Sequence, residues 1–583
     1  MIVRRAFAAF AGGCLVVLAS MASAQVNPPV PAPSGPVNPA VPVTAPPADT
    51  TTPATSGSLT PAPSPAASAA PGESPAPGAA ESPAAGESAT PTPTPTPTPP
   101  PIVVDPAQLS VEPGKLVQAR VNSAAGTITA TSADPSIATV VADQNQRAIF
   151  VTGVAVGSTT VTVADSRGVT RDVPIRVAYA AGSLAEAVAL RVTGDPASPA
   201  FVRDAVVAAA QAAATLRPGA RITVMTDAPL VHGDLQTDDR ISVNVPLQIQ
   251  GDAYITVNGT TRVDVENFAL PHLPASQLLV SDYPERLTAN GVLFTATIDR
   301  TASQRFLYYH FNPGTEPGRR ILVKAANPSN EPATVHLIAA IAGPGANEME
   351  VGHNATKTFL VRTRRNEGTV VTIPPDTTVN LINHPLPPNS IVTGLLQVRE
   401  VSGDPLNLSI VAQDANAPLD QSPDTTALLA GGAPHARGVY PVPAFFSDYT
   451  FFVDAPPLEI PIGQLPLPNL RSGEALSGDY GVQQSIRVVI VNTSRYGQAI
   501  ALYANPRGGA ATGTFLIDNT LVQAHRLPAF SKYKIWQETI APGTYRTLQV
   551  TTFPEGGSSY PLRLIFAQDD GSVAPGAPGS PIY

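Results

Sequence analysis

Histidine is the side chain most often recruited for acid–base work and zinc binding near neutral pH. This chain disperses its eight: His232, His272, His310, His336, His353, His384, His435 and His525. None forms a His-x-His or His-x-x-x-His pair, so a zinc site would need tertiary convergence that spacing does not announce. His310 lies in FLYYHFN, residues 306–312. Strand alternation there sets it on the face opposite Tyr309 and Phe311, a place for a strand-surface or interdomain contact rather than for catalysis. The acidic pairs Asp238-Asp239 and Asp569-Asp570, with the lone Asp234, lack the closely spaced oxygen ligands and turn glycine of a calcium loop. Serine and threonine are too common to mark a nucleophile. The segment PEGGSSY, residues 554–560, has two glycines but no lysine and no helical pattern after it, so it is no phosphate loop. Its carboxylate, hydroxyls and ring could offer hydrogen bonds to a sugar or peptide. A tight connection between strands near Val550 and Leu562 explains the same residues more simply. Glu555, Ser558, Tyr560, Tyr309 and His310 are therefore the binding candidates; no catalytic residue, metal ligand or cofactor is assigned. The aromatics of 440–452 read either as a docking strip or as core.

These residues belong to a chain built for export. Arg4 and Arg5 precede an apolar run over 6–18, and Ala22-Ser23-Ala24 supplies the small residues of a cleavage site, so 1–24 read as a signal peptide. The run is short for a hydrocarbon core about 30 Å thick, and no membrane span is expected in the mature chain. Cys14, the single cysteine, lies inside the apolar run. Cleavage near Ala24 leaves no thiol, and the domains must be held by burial and hydrogen bonding. With 43% apolar residues the 583-residue chain has ample material for several cores. A net charge of −9, and no basic patch interleaved with aromatics, argue against nucleic acid as partner.

From 25 to 103 the sequence is almost wholly Pro, Ala, Ser, Thr and Gly, ending in TPTPTPTPTP at 90–99. Such a segment has no apolar periodicity to offset the entropy of ordering. Alternating Thr-Pro favours an extended stem of about 3.1 Å per residue. Short alternating strands with Gly, Asp, Asn and Pro turns begin at about residue 102, at the spacing of a small β-sandwich. Within them SVEPG (110–114), SADPSIATV (132–140) and VTGVAVGSTTV (151–161) resemble the bacterial Ig-like domain, group 2, over about 104–178. The resemblance implies an all-β module of exported and surface proteins, often a spacer, and names no ligand.

One Ala-rich stretch at about 201–216 predicts a helix, between Pro199 and Pro218-Gly219, inside a β-rich domain over 181–302. No other segment reads convincingly as helix. Downstream, four blocks echo one another in order. ILVKAANPS (321–329) echoes IRVVIVNTS (486–494), and ATKTFLV (355–361) echoes ATGTFLI (511–517). PNSIVTGLLQV (388–398) echoes PGTYRTLQV (542–550), and PLNLSIVAQD (405–414) echoes PLRLIFAQD (561–569). The expectation is two related β-sandwiches, 303–415 and 475–572, repeated by duplication, with Asn327 and Asn492 in equivalent turns. Residues 416–474 read as a linking insert and 573–583 as a flexible tail. The fold class is mainly β: tandem Ig-like sandwiches after a disordered Pro-rich stem, with one helix.

The expected function is that of an exported, non-enzymatic surface or periplasmic structural or adhesive protein of a bacterium. A cell-envelope polymer, glycan or protein is the expected class of partner. A carbohydrate-active or other hydrolase with an accessory Ig-like module, and a periplasmic assembly accessory, are the alternatives.

Overall fold

The computed structural model describes residues 99–226, 230–423 and 425–572. The expected signal peptide, nearly all of the Pro-rich stem and the C-terminal tail lie outside them. Among the described residues strand accounts for 54% and helix for 7%, in two helices, so the fold is mainly β.

Residues 103–177 form two four-stranded sheets closed over one core. The alternation that predicts strands is the alternation that fills this core. In Leu116–Asn122, Ala119 and Val121 point inward and their neighbours outward.

Two larger sandwiches follow. In the first, Gly291–Ile298, Leu406–Asp414, Arg319–Asn327 and Thr377–Leu386 make one sheet, in that order. The facing sheet runs Ala275–Ser281, Ser303–Asn312, Ser390–Ser402, Ala333–Gly345, Gly368–Ile373. In the second, Leu458–Ile462, Leu562–Gln568, Gln498–Pro506 and Tyr533–Ile540 face Ala444–Phe452, Gln483–Val491, Tyr545–Thr552, Ala511–Ile517 and Thr520–Leu527. Numbered along the chain, the nine strands of the first sandwich and the nine of the second have the same order and pairing directions. They even share one parallel pair, Ala275–Ser281 with Ser303–Asn312 and Ala444–Phe452 with Gln483–Val491. Each sandwich closes on its own apolar core.

The sheets depart from the expected boundaries in three places. Strands 275–281 and 291–298, assigned by sequence to a domain ending at 302, belong to the first sandwich. Ala187–Thr193, Arg221–Val224, Arg240–Gln250 and Val257–Asn267 extend the same sheet, because Arg191–Thr193 pairs with Gly368–Val370. Helix α1, Pro199–Ala212, covers that extension with Phe201, Val202 and Val206. Thr215–Leu216, expected in the helix, is a short strand. The expected insert 416–474 instead supplies Arg437–Tyr440 to the first sandwich and two strands to the second.

A second helix, α2 (Glu348–Arg364), stands inside the expected first sandwich, where the sequence reads as having no helix. Asn347 caps it by accepting from the Glu350 amide, with Glu348 and Glu350 in its first turn and Arg362 and Arg364 in its last. Val351, Ala355 and Phe359, four residues apart, make its buried stripe. ATKTFLV at 355–361 is thus helical while its echo ATGTFLI is Ala511–Ile517, a strand. Neither helix is long and apolar enough to cross a membrane.

Candidate functional site

The chemistry-bearing side chains converge where α2 leaves the first sandwich and meets the second. On its apolar side the junction joins Leu278, Leu307, Ile338 and Leu395 of the first sandwich, Phe359 and Leu360 of α2, and Leu516 and Phe553 of the second. Arg305 is buried among them, its guanidinium carbon 5.7 Å from the Phe359 ring centre and 5.0 Å from that of Phe553. It donates to the carbonyls of Pro443 and, at 3.3 Å, of Gly481. Burial pulls this guanidinium down to about 9. Its stack on two rings and its carbonyl acceptors make the contact a clamp between the sandwiches.

The polar side of the junction is centred on the 554–560 turn. His353, on α2, places Nδ1 3.0 Å from Glu555 Oε2 and Nε2 3.2 Å from Gln523 Oε1. Thr512 Oγ1 donates to the same carboxylate oxygen and lies 2.7 Å from Ser558 Oγ, which accepts from the Thr512 amide at 3.0 Å. The His525 ring centre is 4.8 Å from that of His353. His353, Glu555, Thr512 and Ser558 are all buried, Glu555 completely. Burial works against a charged His353; the bonds to Glu555 and Gln523 outweigh it and raise its pKa. Glu555 Oε1 has no partner among the described residues. Two glycines allow this approach. A Cβ on Gly352 would lie 1.7 Å from the Gly556 carbonyl, and Gly557, at φ +74, sits against the Glu348 carbonyl.

This arrangement does not relay a proton to a nucleophile. A histidine that serves a hydroxyl must bridge it to the carboxylate. Here the Thr512 and Ser558 hydroxyls belong to the carboxylate's own network, the Thr514 hydroxyl lies 3.4 Å from Nδ1, the same nitrogen that faces Glu555, and the far nitrogen of His353 faces an amide oxygen. A depression of about 260 Å³ at the start of α2 is lined by residues that include Asn347, Glu350 and Asn354, and neither His353 nor Glu555 lines it.

The sequence candidates are distributed unevenly over this site. Glu555 and Ser558 are in its centre. Tyr309 packs against Val351 and Ile391, with Gly556 beside its ring. Tyr560 stacks edge-on against Tyr480 at 5.8 Å, and the Tyr480 hydroxyl donates to the Ser558 carbonyl. His310 stands apart. It is fully buried rather than on a strand surface, 3.2 Å from Ser281 Oγ and 3.0 Å from the Pro284 carbonyl. Burial lowers it to about 4, so it is neutral. His353, Thr512 and Arg305 escaped the sequence reading. For His353 the available signal was the helical spacing of Val351, Ala355 and Phe359 behind the Asn347 cap. Of the aromatics in 440–452, Tyr440 and Phe451 are core, whereas Phe445, Phe446 and Phe452 are exposed.

Residues 106–178 match the family described as "Pilus formation protein N terminal region". A search of curated proteins gives no match. Among solved structures, S-layer protein SbsC domains 4 and 5 are 27% identical over 13% of this chain and 50% of that one, with a TM-score of 0.12. The chain thus spans half the length of that structure. SbsC domains 5–6 are 17% identical over 29% of this chain and 97% of that one, at 0.13. The Bacteroides ovatus mixed-linkage glucan utilization locus SGBP-B, in complex with a mixed-linkage heptasaccharide, is 14% identical over 50% of this chain and 71% of that one, at 0.12.

Proposed function

We propose that this chain is a non-enzymatic structural or adhesive protein of the bacterial surface or periplasm, whose Ig-like module and fused sandwiches form a rigid body on an exported stem. The observation that carries this reading is the placement of the chemistry-bearing residues. His353, Glu555, Ser558 and Arg305 are buried in the contact between sandwiches, where they fix geometry instead of lining a groove. The match of 106–178 to a pilus formation region supports a place outside the cytoplasm. It also favours a second reading, a periplasmic assembly accessory that contacts a pilus or secretion component through this module. On the same proposal, the shared strand order of the two sandwiches records a duplication, the Ig-like module spans about 104–178, and cell-envelope glycan or protein is the partner class.

Fractionation of cells expressing the full chain, with mass spectrometry of the mature N-terminus, tests export directly. Recovery in the envelope or medium with residues 1–24 removed supports it; cytoplasmic recovery with them attached refutes it. Protease shaving of intact cells then separates surface display, where the body is cleaved, from a periplasmic accessory, where it is protected.

A further inference from the structure

The two sandwiches treat one equivalent edge differently. In the first, Ala275–Ser281 pairs in parallel with its inner neighbour, and its outer side is covered by Arg437–Tyr440, running antiparallel. In the second, the equivalent strand Ala444–Phe452 pairs in parallel with Gln483–Val491 and has no strand on its outer side among the described residues. Soluble proteins blunt such edges with charge, proline or brevity. This one is nine residues long, reads AFFSDYTFF, and exposes Phe446 at 77%, Phe452 at 47% and Phe445 at 37%. Its one charge, Asp448, is engaged by Arg487 at 3.2 Å.

We propose that this edge pairs antiparallel with the same edge of a second copy of the chain, joining two five-stranded sheets across a two-fold axis at Tyr449. The register follows from parity and charge. In an antiparallel pair residues directly opposite lie on one face, so a dyad perpendicular to the sheet falls on a residue. At Asp448 it would set Asp448 against itself, a like-charge pair in direct opposition. At Thr450 it would set Phe452 against Asp448 and Phe446 against Asp454. At Tyr449 it sets Phe446 opposite Phe452 twice and Asp448 opposite Thr450, so the exposed rings cover one another and no carboxylate meets a carboxylate. The first sandwich shows that this edge accepts an antiparallel strand. The interface is isologous. A strand pair of this length, about 30 Å, belongs with interfaces below about 1,200 Å², and association in the micromolar range is expected.

Sedimentation velocity of the full exported chain over a concentration series tests the pairing. A reversible dimer is expected. Thr450→Asp, which sets a second carboxylate against Asp448, should weaken it at least tenfold. Thr450→Lys, which sets an ammonium there, should retain or tighten it. Thr450 is exposed, and an unchanged melting temperature of both variants would show that folding is intact. Tyr449→Cys should form a disulfide-linked dimer under mild oxidation, because opposed Cα atoms lie about 4.5–5.5 Å apart. A chain that stays monomeric into the millimolar range overturns the proposal. So does a dimer indifferent to both Thr450 variants, and so does a monomer whose edge binds a strand of a different protein.

Discussion

The first and second sandwiches share nine strands in one order, yet only one carries a helix. In the second, Ala511–Ile517 and Thr520–Leu527 are joined by two residues, Asp518 at φ +52 and Asn519, a tight hairpin. In the first, the equivalent strands Ala333–Gly345 and Gly368–Ile373 are joined through α2. A hairpin tip can carry a whole helix because the entropy of closing a loop grows only slowly with its length and the connection runs over the surface. The helix gives one face of the first sandwich a second role. α2 lies on strands of the first sandwich and on Ala511–Ile517 of the second, converting two similar units into one body.

The largest effect is expected from removing that coupling. Phe359→Ala, at a fully buried ring stacked edge-on against Phe553 at 5.6 Å, should cost about 3–5 kcal/mol and split one thermal transition into two by calorimetry. A single transition shifted as a unit would show that the sandwiches are coupled elsewhere.

Acid should distinguish the interior of the first sandwich from the junction. His310, His336 and His384 are held neutral by burial, at about 4, 3 and 4. Unfolding restores the ordinary histidine range, so their contribution is present above about pH 6.5 and is lost as pH falls toward 4. Asp282 and Asp479, raised to about 6 mainly by burial, oppose this over part of the window; three larger shifts outweigh two. For His310 alone the change is about 3 kcal/mol. His310→Gln should lessen the fall in unfolding free energy between pH 6.5 and 4, measured by chemical denaturation, by a comparable amount. His353 has the opposite sign. Its pKa is raised in the fold, so its contribution is present below about pH 6.5 and fades as pH rises through the folded value. His353→Gln should remove that alkaline decline, and an unchanged profile would sever the imidazole from the junction's stability.

A smaller effect tests which turns are equivalent. Asn492 donates to the carbonyls of Tyr496 and Ile540, each at 2.8 Å, and Asn312 donates in the same topological place to those of Pro317 and Leu386, at 2.8 and 3.0 Å. Either change to Ala should cost about 1–3 kcal/mol in chemical denaturation. A cost at one and none at the other would break the equivalence. Least of all, Arg487→Ala removes an exposed ion pair with Asp448 and should change stability by less than about 1 kcal/mol.

Much of this architecture was legible because strands announce themselves by alternation. The echoes 388–398 with 542–550 and 405–414 with 561–569 fall on topologically equivalent strands. The other two echoes do not. ILVKAANPS ends one strand later in its sandwich than IRVVIVNTS, and the shared Asn misled because Asn327 also ties down a strand end, donating to the Glu331 and Ile373 carbonyls. ATKTFLV shares residues with the strand Ala511–Ile517, yet a cap at Asn347 and a buried stripe of Val351, Ala355 and Phe359 make it helix. The 554–560 turn was singled out, but its partner His353 lies 202 positions away, and no local pattern encodes such an encounter. Arg305, one residue before the FLYYHFN segment, gave no sign that it would stack between two distant phenylalanines.

Native-state hydrogen exchange on the full chain tests the central claim, that the buried junction makes the two sandwiches one unit. The amides of Arg319–Asn327 and of Gln498–Pro506, one inner strand from each sandwich, are expected to exchange through the same opening with the same free energy. Glu555→Ala should lower protection in both together. Separate openings, with the loss confined to the second sandwich, would contradict it.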